Sequence, residues 1–143
     1  MHGKESRVHA LLFGFDLLNF YVRLDFRLPE GPPKAGESVV LYILSPVSVR
    51  VTCTLEVSGI EGRMERQVND EWETIHNECQ TALGSVFELA VPWSGLQGIE
   101  PGKEFEFVLS LQKGEREIER IPSRSTLSTI CPDENFDELM WSV

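Results

Sequence analysis

Three tryptophans in three separate segments carry the side chains whose chemistry points most directly to ligand contact. Trp72 follows Asp70 and Glu71 directly, whereas Trp93 and Trp141 stand in less charged surroundings. A large aromatic ring presents a flat apolar face that can pack on the C–H face of a sugar, while neighbouring carboxylates or arginines bond the hydroxyls. The alternative for Trp93 and Trp141 is packing at the ends of a core. Trp72 is predicted either to contact a ligand or to lie half-buried on an edge strand, where charges block sheet-to-sheet pairing.

A second candidate group follows from alternation along one segment. Tyr21, Arg23 and Asp25 alternate with apolar residues, so they share one face of the predicted strand. That polar row is either a binding face or simply the exposed side of a sheet. The candidate carbohydrate-contact residues are therefore Trp72, Trp93, Tyr21, Arg23 and Asp25.

The pattern of ionisable residues predicts no catalytic residue, no metal site and no cofactor. The histidines form no short-spaced pair of the kind that binds metal. Ser94 lacks the leading glycine of a nucleophile elbow. The densest acidic cluster, Asp133, Glu134, Asp137 and Glu138, is typical of a solvated face or of a contact with a hard cation.

Three cysteines, Cys53, Cys79 and Cys131, have spacings that fit no zinc motif. Cys53 falls on the apolar register of a predicted strand, which favours a buried thiol. The sequence alone does not decide whether Cys79 and Cys131 form a disulfide. The first seven residues contain no apolar segment of a signal peptide, so a reducing, cytoplasmic setting is expected.

The elements that must position these residues are strands, because apolar residues recur with period two. The clearest case is residues 19–27, which pair with residues 8–13 in a predicted hairpin. Further strands are predicted at 39–44, 49–58, 63–68, 72–76, 86–91, 104–112, 115–121 and 125–130. We predict one all-β domain over residues 1–143: an antiparallel β-sandwich of about nine or ten strands, immunoglobulin-like or DOMON-like, with little helix.

Charge and hydropathy narrow the class of partner. The 143 residues carry 13 Lys and Arg against 23 Asp and Glu, a formal net charge of −10. Nucleic-acid binding is disfavoured, because polyanions are bound through Lys and Arg. The longest apolar run has six residues, at 39–44, whereas a helix that crosses a bilayer needs roughly 20. Neither nucleic acid nor membrane is expected as a partner.

Several stretches resemble a known family. The opening Met-His, Phe-Gly-Phe-Asp at 13–16 and Phe-Tyr-Val-Arg-Leu-Asp at 20–25 resemble the start of the C-terminal β-domain of bacterial glycoside hydrolase family 57 proteins. Residues 87–93, with Leu96 and Pro-Gly at 101–102, are similar to the strand–Pro–turn pattern of DOMON-like and family 9 carbohydrate-binding modules. Residues 119–122 and 136–143 look like the terminal segment of those hydrolases.

The resemblance implies a β-sandwich from the C-terminus of a larger enzyme that acts on α-glucans. The family's catalytic residues lie in an N-terminal barrel, so none transfers to this chain. The expected function is a non-catalytic accessory domain that binds carbohydrate or docks on the catalytic barrel. The alternative is a structural or protein-interaction module without sugar binding, for example a homodimer formed through an exposed sheet edge.

Overall fold

Two antiparallel sheets form a sandwich in the computed structural model, which describes residues 6–133 and 140–142. The strands of the first sheet are β1 Val8–Phe15, β2 Asn19–Phe26, β7 Gln80–Leu83, β8 Val86–Pro92 and β12 Met140–Ser142. Those of the second are β3 Glu37–Ser45, β4 Val49–Glu56, β5 Gly59–Val68, β6 Glu71–Ile75, β9 Glu104–Lys113, β10 Arg116–Ile121 and β11 Leu127–Ile130. The first sheet has the order β12-β1-β2-β8-β7; the second has the order β10-β9-β3-β4-β5-β6, with β11 also paired to β9. The predicted all-β antiparallel sandwich is confirmed.

The core forms where the apolar sides of the two sheets meet. Alternation places Phe20, Val22 and Leu24 of β2 on the inner side, and each is at most 1% exposed. The ring of Phe20 packs edge-on against Phe105 and Phe107 of β9, with centroids 5.2 and 5.1 Å apart. Edge-on aromatic pairs are favourable beyond their area burial. These rings join the central strands of one sheet to those of the other.

The predicted turns explain how the chain reverses between β1 and β2. Asp16 Oδ1 accepts hydrogen bonds from the backbone N–H groups of Leu18 and Asn19, both at 2.8 Å. Such a side-chain-to-backbone turn is a common use of Asp between strands. After β8 the chain forms a single 3₁₀ turn, Trp93–Gly95.

The structure corrects two predictions in the polar stretch after β4. In the sequence, Gly59 and Gly62 stand between the predicted strands 49–58 and 63–68 and predict a turn there. In the structure β5 already begins at Gly59, and Gly62 lies inside the strand opposite Cys53. Val57 and Ser58 form the turn instead, and both are exposed. The strand β7 was missed, because its four residues alternate between half-buried and exposed positions without a strong apolar face.

The start of β1 is tied to the start of β3 by a buried ion pair. Arg7 donates from both terminal nitrogens to Glu37, at 2.9 and 3.1 Å, and the side chains are 10% and 11% exposed. The second carboxylate oxygen also accepts the backbone N–H of Lys34 at 2.9 Å. These contacts link the two sheets at one end of the sandwich.

All three cysteines are free thiols, and Cys53 is fully buried, as predicted from its register. The predicted acidic residues Glu134, Asp137 and Glu138 lie outside the described residues. The backbone of Trp141 in β12 pairs with that of Gly14 in β1. Among the residues that the structure describes, no helix has the length and apolarity needed to cross a membrane.

Candidate functional site

A stacked arginine, tryptophan and glutamate occupy the outward side of the second sheet. Arg50 of β4 lies directly opposite Glu65 of β5, and its Nε donates to Glu65 Oε1 at 2.7 Å. Trp72 of β6 lies opposite Gln67, which shares a strand face with Glu65. The guanidinium carbon of Arg50 lies 4.1 Å from the centroid of the Trp72 ring. This distance is typical of a cation–π contact, so ring, guanidinium and carboxylate form one unit.

The electrostatics of this unit keep its charges fixed. The hydrogen bond from Arg50 lowers the pKa of Glu65, burial opposes that shift, and the charges of Arg50 and Arg63 add to it. The carboxylate therefore stays ionised at neutral pH and holds the guanidinium over the ring. Trp72 is half-buried on β6, which ends the described order of this sheet. The unit thus presents the Trp72 ring beside a negatively charged acceptor, the Glu65 carboxylate, and a positively charged donor, the Arg50 guanidinium.

A chain of hydrogen bonds continues the polar surface toward β9. Tyr42 of β3 lies directly opposite Arg50. Gln112 donates from its Nε2 to the hydroxyl of Tyr42 at 3.0 Å and to Ser110 Oγ at 3.1 Å. Ser110 in turn donates to Glu117 Oε2 at 2.5 Å. We call the surface formed by Arg50, Glu65, Trp72, Tyr42 and Gln112 the outer face of the second sheet.

The predicted row Tyr21, Arg23 and Asp25 lies on the other sheet. Arg23 Nε pairs with Asp25 Oδ1 at 2.8 Å, and the two side chains are 43% and 28% exposed. The Tyr21 hydroxyl donates to Asp16 Oδ2 at 2.7 Å. Burial and that hydrogen bond raise the pKa of Tyr21, so the hydroxyl keeps its proton. The structure brings these three residues together but places them on the opposite side of the sandwich from Trp72.

Trp93 lies at the end of the core rather than on either outer side. Its ring packs edge-on against Phe105, with centroids 5.7 Å apart, and contacts Phe15 at 6.5 Å. Its indole N–H donates to the backbone carbonyl of Asp16 at 2.8 Å. The ring is half-buried and packs against the core cluster. The five predicted contact residues therefore fall in three places: the outward sides of the two sheets and one end of the core.

A small surface pocket of about 190 Å³ lies between β6 and the 3₁₀ turn. Its lining includes Arg66, Glu73, Asn77 and Ser94. Asn77 Nδ2 donates to Ser94 Oγ at 3.1 Å, and Arg66 donates to the carbonyl of Gln97. Its polar groups thus bond one another across the pocket. Within residues 6–133, no three His, Cys, Asp or Glu side chains converge as a metal site would require.

Comparisons of the chain with family models, curated proteins and solved structures found no match. The geometry of the outer face must therefore carry the functional argument. Sequence reasoning selected Trp72 but missed Arg50, Glu65 and Gln112. Outward alternation on each strand was the available signal, but β9 joins β3 only through long-range pairing that no local pattern reveals.

Proposed function

We propose that this chain is a non-catalytic β-sandwich module that binds carbohydrate on the outer face of the second sheet. The observation that carries the proposal is the Trp72 ring held by Arg50, with the ionised carboxylate of Glu65 beside it. A ring of this kind packs on the C–H groups of a sugar. The carboxylate and the guanidinium are charged partners for its hydroxyls, and hydrogen bonds to charged groups are the stronger ones.

The substrate class is an α-glucan, and the module serves as an accessory domain of a glycoside hydrolase. Both parts of the proposal follow from the resemblance of residues 13–16 and 20–25 to glycoside hydrolase family 57 proteins, and the similarity of residues 87–93 to carbohydrate-binding modules supports sugar binding. The fixed geometry of the outer face supports binding, because side chains already locked by hydrogen bonds lose little freedom when a ligand arrives. Chemistry on the glucan belongs to the catalytic barrel of the parent enzyme.

Affinity electrophoresis in gels that contain starch, glycogen or pullulan tests the proposal. The native chain should migrate more slowly in at least one polysaccharide gel, and Trp72→Ala should abolish the retardation. Tyr21→Phe is the matched control, since it alters an aromatic residue on the opposite sheet. The absence of retardation in all three gels would refute carbohydrate binding. Retardation lost in Tyr21→Phe but kept in Trp72→Ala would move the site to the first sheet.

The second candidate function is docking onto another protein domain, and the turn between β1 and β2 favours it. Leu17 and Leu18 expose 55% and 74% of their surface there. The carbonyl of Leu18 accepts the backbone N–H of Trp93 at 3.1 Å, so the turn is fixed beside the aromatic end of the core. Light scattering tests the homodimer form of this function. A chain that stays monomeric at high concentration would exclude the homodimer, and docking on the catalytic barrel would be the remaining form of this function.

A further inference from the structure

Two of the three cysteines meet at the inner side of the second sheet. Cys53 of β4 is fully buried, and its direct partner across β5 is Gly62. Cys79 lies in the connection that leaves β6 in the second sheet and enters β7 in the first. It is half-buried and packs against the core. The pair therefore joins a central strand to the segment that crosses between the sheets.

The position of Gly62 shows how close the sulfurs are. A Cβ atom at Gly62 would lie 2.7 Å from Cys79 Sγ, so the Cys79 sulfur occupies the space of a side chain at that position. Side chains directly opposite each other in an antiparallel pair have Cβ atoms about 4.5–5.5 Å apart. Cys79 Sγ is thus the cross-strand neighbour of the Cys53 side chain. The two thiols lie close enough for a hydrogen bond between them to shift the pKa of both.

Their surroundings differ in the way that a reactive pair requires. The hydrogen bond from Cys53 lowers the pKa of Cys79 to about 7, against the opposing effect of burial. The same hydrogen bond and burial raise the pKa of Cys53. The thiolate is the nucleophile in thiol–disulfide exchange, so Cys79, which is only half-buried and is partly ionised at neutral pH, reacts before the fully buried Cys53.

We propose that Cys53 and Cys79 form a redox-active dithiol whose substrate is a low-molecular-weight disulfide. The Cys79 thiolate attacks one sulfur of that disulfide, its S–S bond breaks, and one small thiolate leaves and takes up a proton. The buried Cys53 thiol then attacks Cys79 Sγ, the mixed S–S bond breaks, and the Cys53 proton passes to the departing thiolate, which leaves as the second small thiol. The protein pair loses two electrons and two protons, and the small disulfide becomes two thiols.

The fold allows the bond to close. The S–S bond needs a length of about 2.05 Å, so the two sulfurs of the free thiols must move together. Residues 76–79 belong to no strand and can follow that movement, whereas Cys53 is held between β3 and β5. Gly62 keeps the necessary space free of a side chain. The closed disulfide would fix the crossing segment to the second sheet.

Cys131 supplies an internal control. It is 5% exposed, and burial raises its pKa. It should therefore remain a thiol under conditions in which the pair reacts. This inference stands on the thiol geometry and does not depend on carbohydrate binding.

The experiment treats the reduced full chain with glutathione disulfide at pH 7 and follows it by intact mass and by peptide mapping without reduction. The native chain and Cys131→Ser should lose two hydrogen atoms and give a peptide linked through Cys53 and Cys79. Cys53→Ser should instead stop at a glutathione adduct on Cys79. Gly62→Ala should slow adduct formation about threefold, because the added methyl group displaces Cys79 Sγ and returns the pKa of Cys79 toward about 8.5. A smaller fraction of Cys79 is then thiolate at pH 7, and the higher nucleophilicity of that thiolate compensates for the smaller fraction only in part.

Three results would overturn the proposal: an unreacted Cys79, a glutathione adduct that persists in the native chain, or a disulfide that includes Cys131. The mapping of the native chain decides the matter even if a variant fails to fold.

Discussion

Replacing Arg7 by methionine should lower the free energy of unfolding by about 3 kcal/mol, because it leaves the Glu37 carboxylate buried without its guanidinium. In the native chain the two side chains form two hydrogen bonds of 2.9 and 3.1 Å. The guanidinium also donates to the carbonyl of Pro32 at 3.3 Å. The substitution thus removes the link between β1 and β3 while it retains a long apolar side chain.

The magnitude follows from burial. Breaking a fully buried ion pair costs about 3–5 kcal/mol. Both side chains keep about a tenth of their exposure, so water reaches the pair in part. Among the described residues, the Nε of Arg7 is a buried nitrogen without a hydrogen-bond partner, which already reduces the native stabilisation. Both facts place the cost at the lower end of the range. For a chain of this length the melting temperature should fall by about 10 °C.

Urea denaturation of Arg7→Met, Glu37→Leu and the double variant measures the prediction. Removing both charges together avoids an unpaired buried ion, so the double variant should be at least about 2 kcal/mol more stable than the sum of the single losses predicts. The matched control is Arg23→Met, which breaks an exposed pair and should cost at most about 1 kcal/mol. Additive single losses, or equal losses for Arg7 and Arg23, would refute the reasoning.

Three further predictions concern packing, pH and a turn. Trp93→Ala should cost about 3 kcal/mol in urea denaturation, because the ring closes the end of the core, whereas Trp72→Ala should cost about 1 kcal/mol through its lost cation–π contact. At Glu37 burial raises the pKa, but the hydrogen bonds from Arg7 and Lys34, together with the charges of both residues, outweigh it and lower the pKa in the fold. At Glu65 the hydrogen bond from Arg50 outweighs burial and also lowers the pKa. Their stabilisation is fully present above the unfolded pKa of about 4.3 and is lost as pH falls through the folded values, which a pH series of urea midpoints should show. Asp70→Gly should raise the melting temperature slightly, since Asp70 has a left-handed φ of 66° that suits glycine.

Each of these predictions has a contrary result. Equal losses of unfolding free energy in Trp93→Ala and Trp72→Ala would contradict the different packing inferred for the two rings. Urea midpoints that rise below pH 4 would reverse the inferred sign for the carboxylates. A clear destabilisation by Asp70→Gly would show that the aspartate side chain stabilises the turn by more than its backbone conformation costs.

The strands could be predicted because their signal is local. Alternation in residues 19–27 identified β2 with its inner and outer sides, and the Gly, Asp and Asn of the connection at 14–19 placed the hairpin of β1 and β2. The prediction failed where the local signal is weak. β7 has no strong apolar face. Gly62 is typical of a turn by its residue type, but in the strand its missing side chain leaves room for the sulfur of Cys79.

The candidate site depended on pairings that the sequence does not show. Tyr21 and Trp72 are both aromatic residues beside charges, and only the assignment of β2 and β6 to different sheets separates them. Likewise, Cys53 and Cys79 are 26 positions apart, and their spacing fits no motif. The register that sets Gly62 opposite Cys53 is what brings the sulfurs together.

By itself, the sequence determined the period-two pattern, the all-β class and the identity of the inner residues, because strand geometry fixes which side chains share a face. The tertiary structure alone decided that Arg50, Glu65 and Trp72 form one unit, that Trp93 packs against the core, and that Cys79 lies beside the position opposite Cys53. The physical reason is that alternation is a property of one strand, whereas contacts across a sandwich depend on register and sheet order. Those are set by the packing of the whole chain.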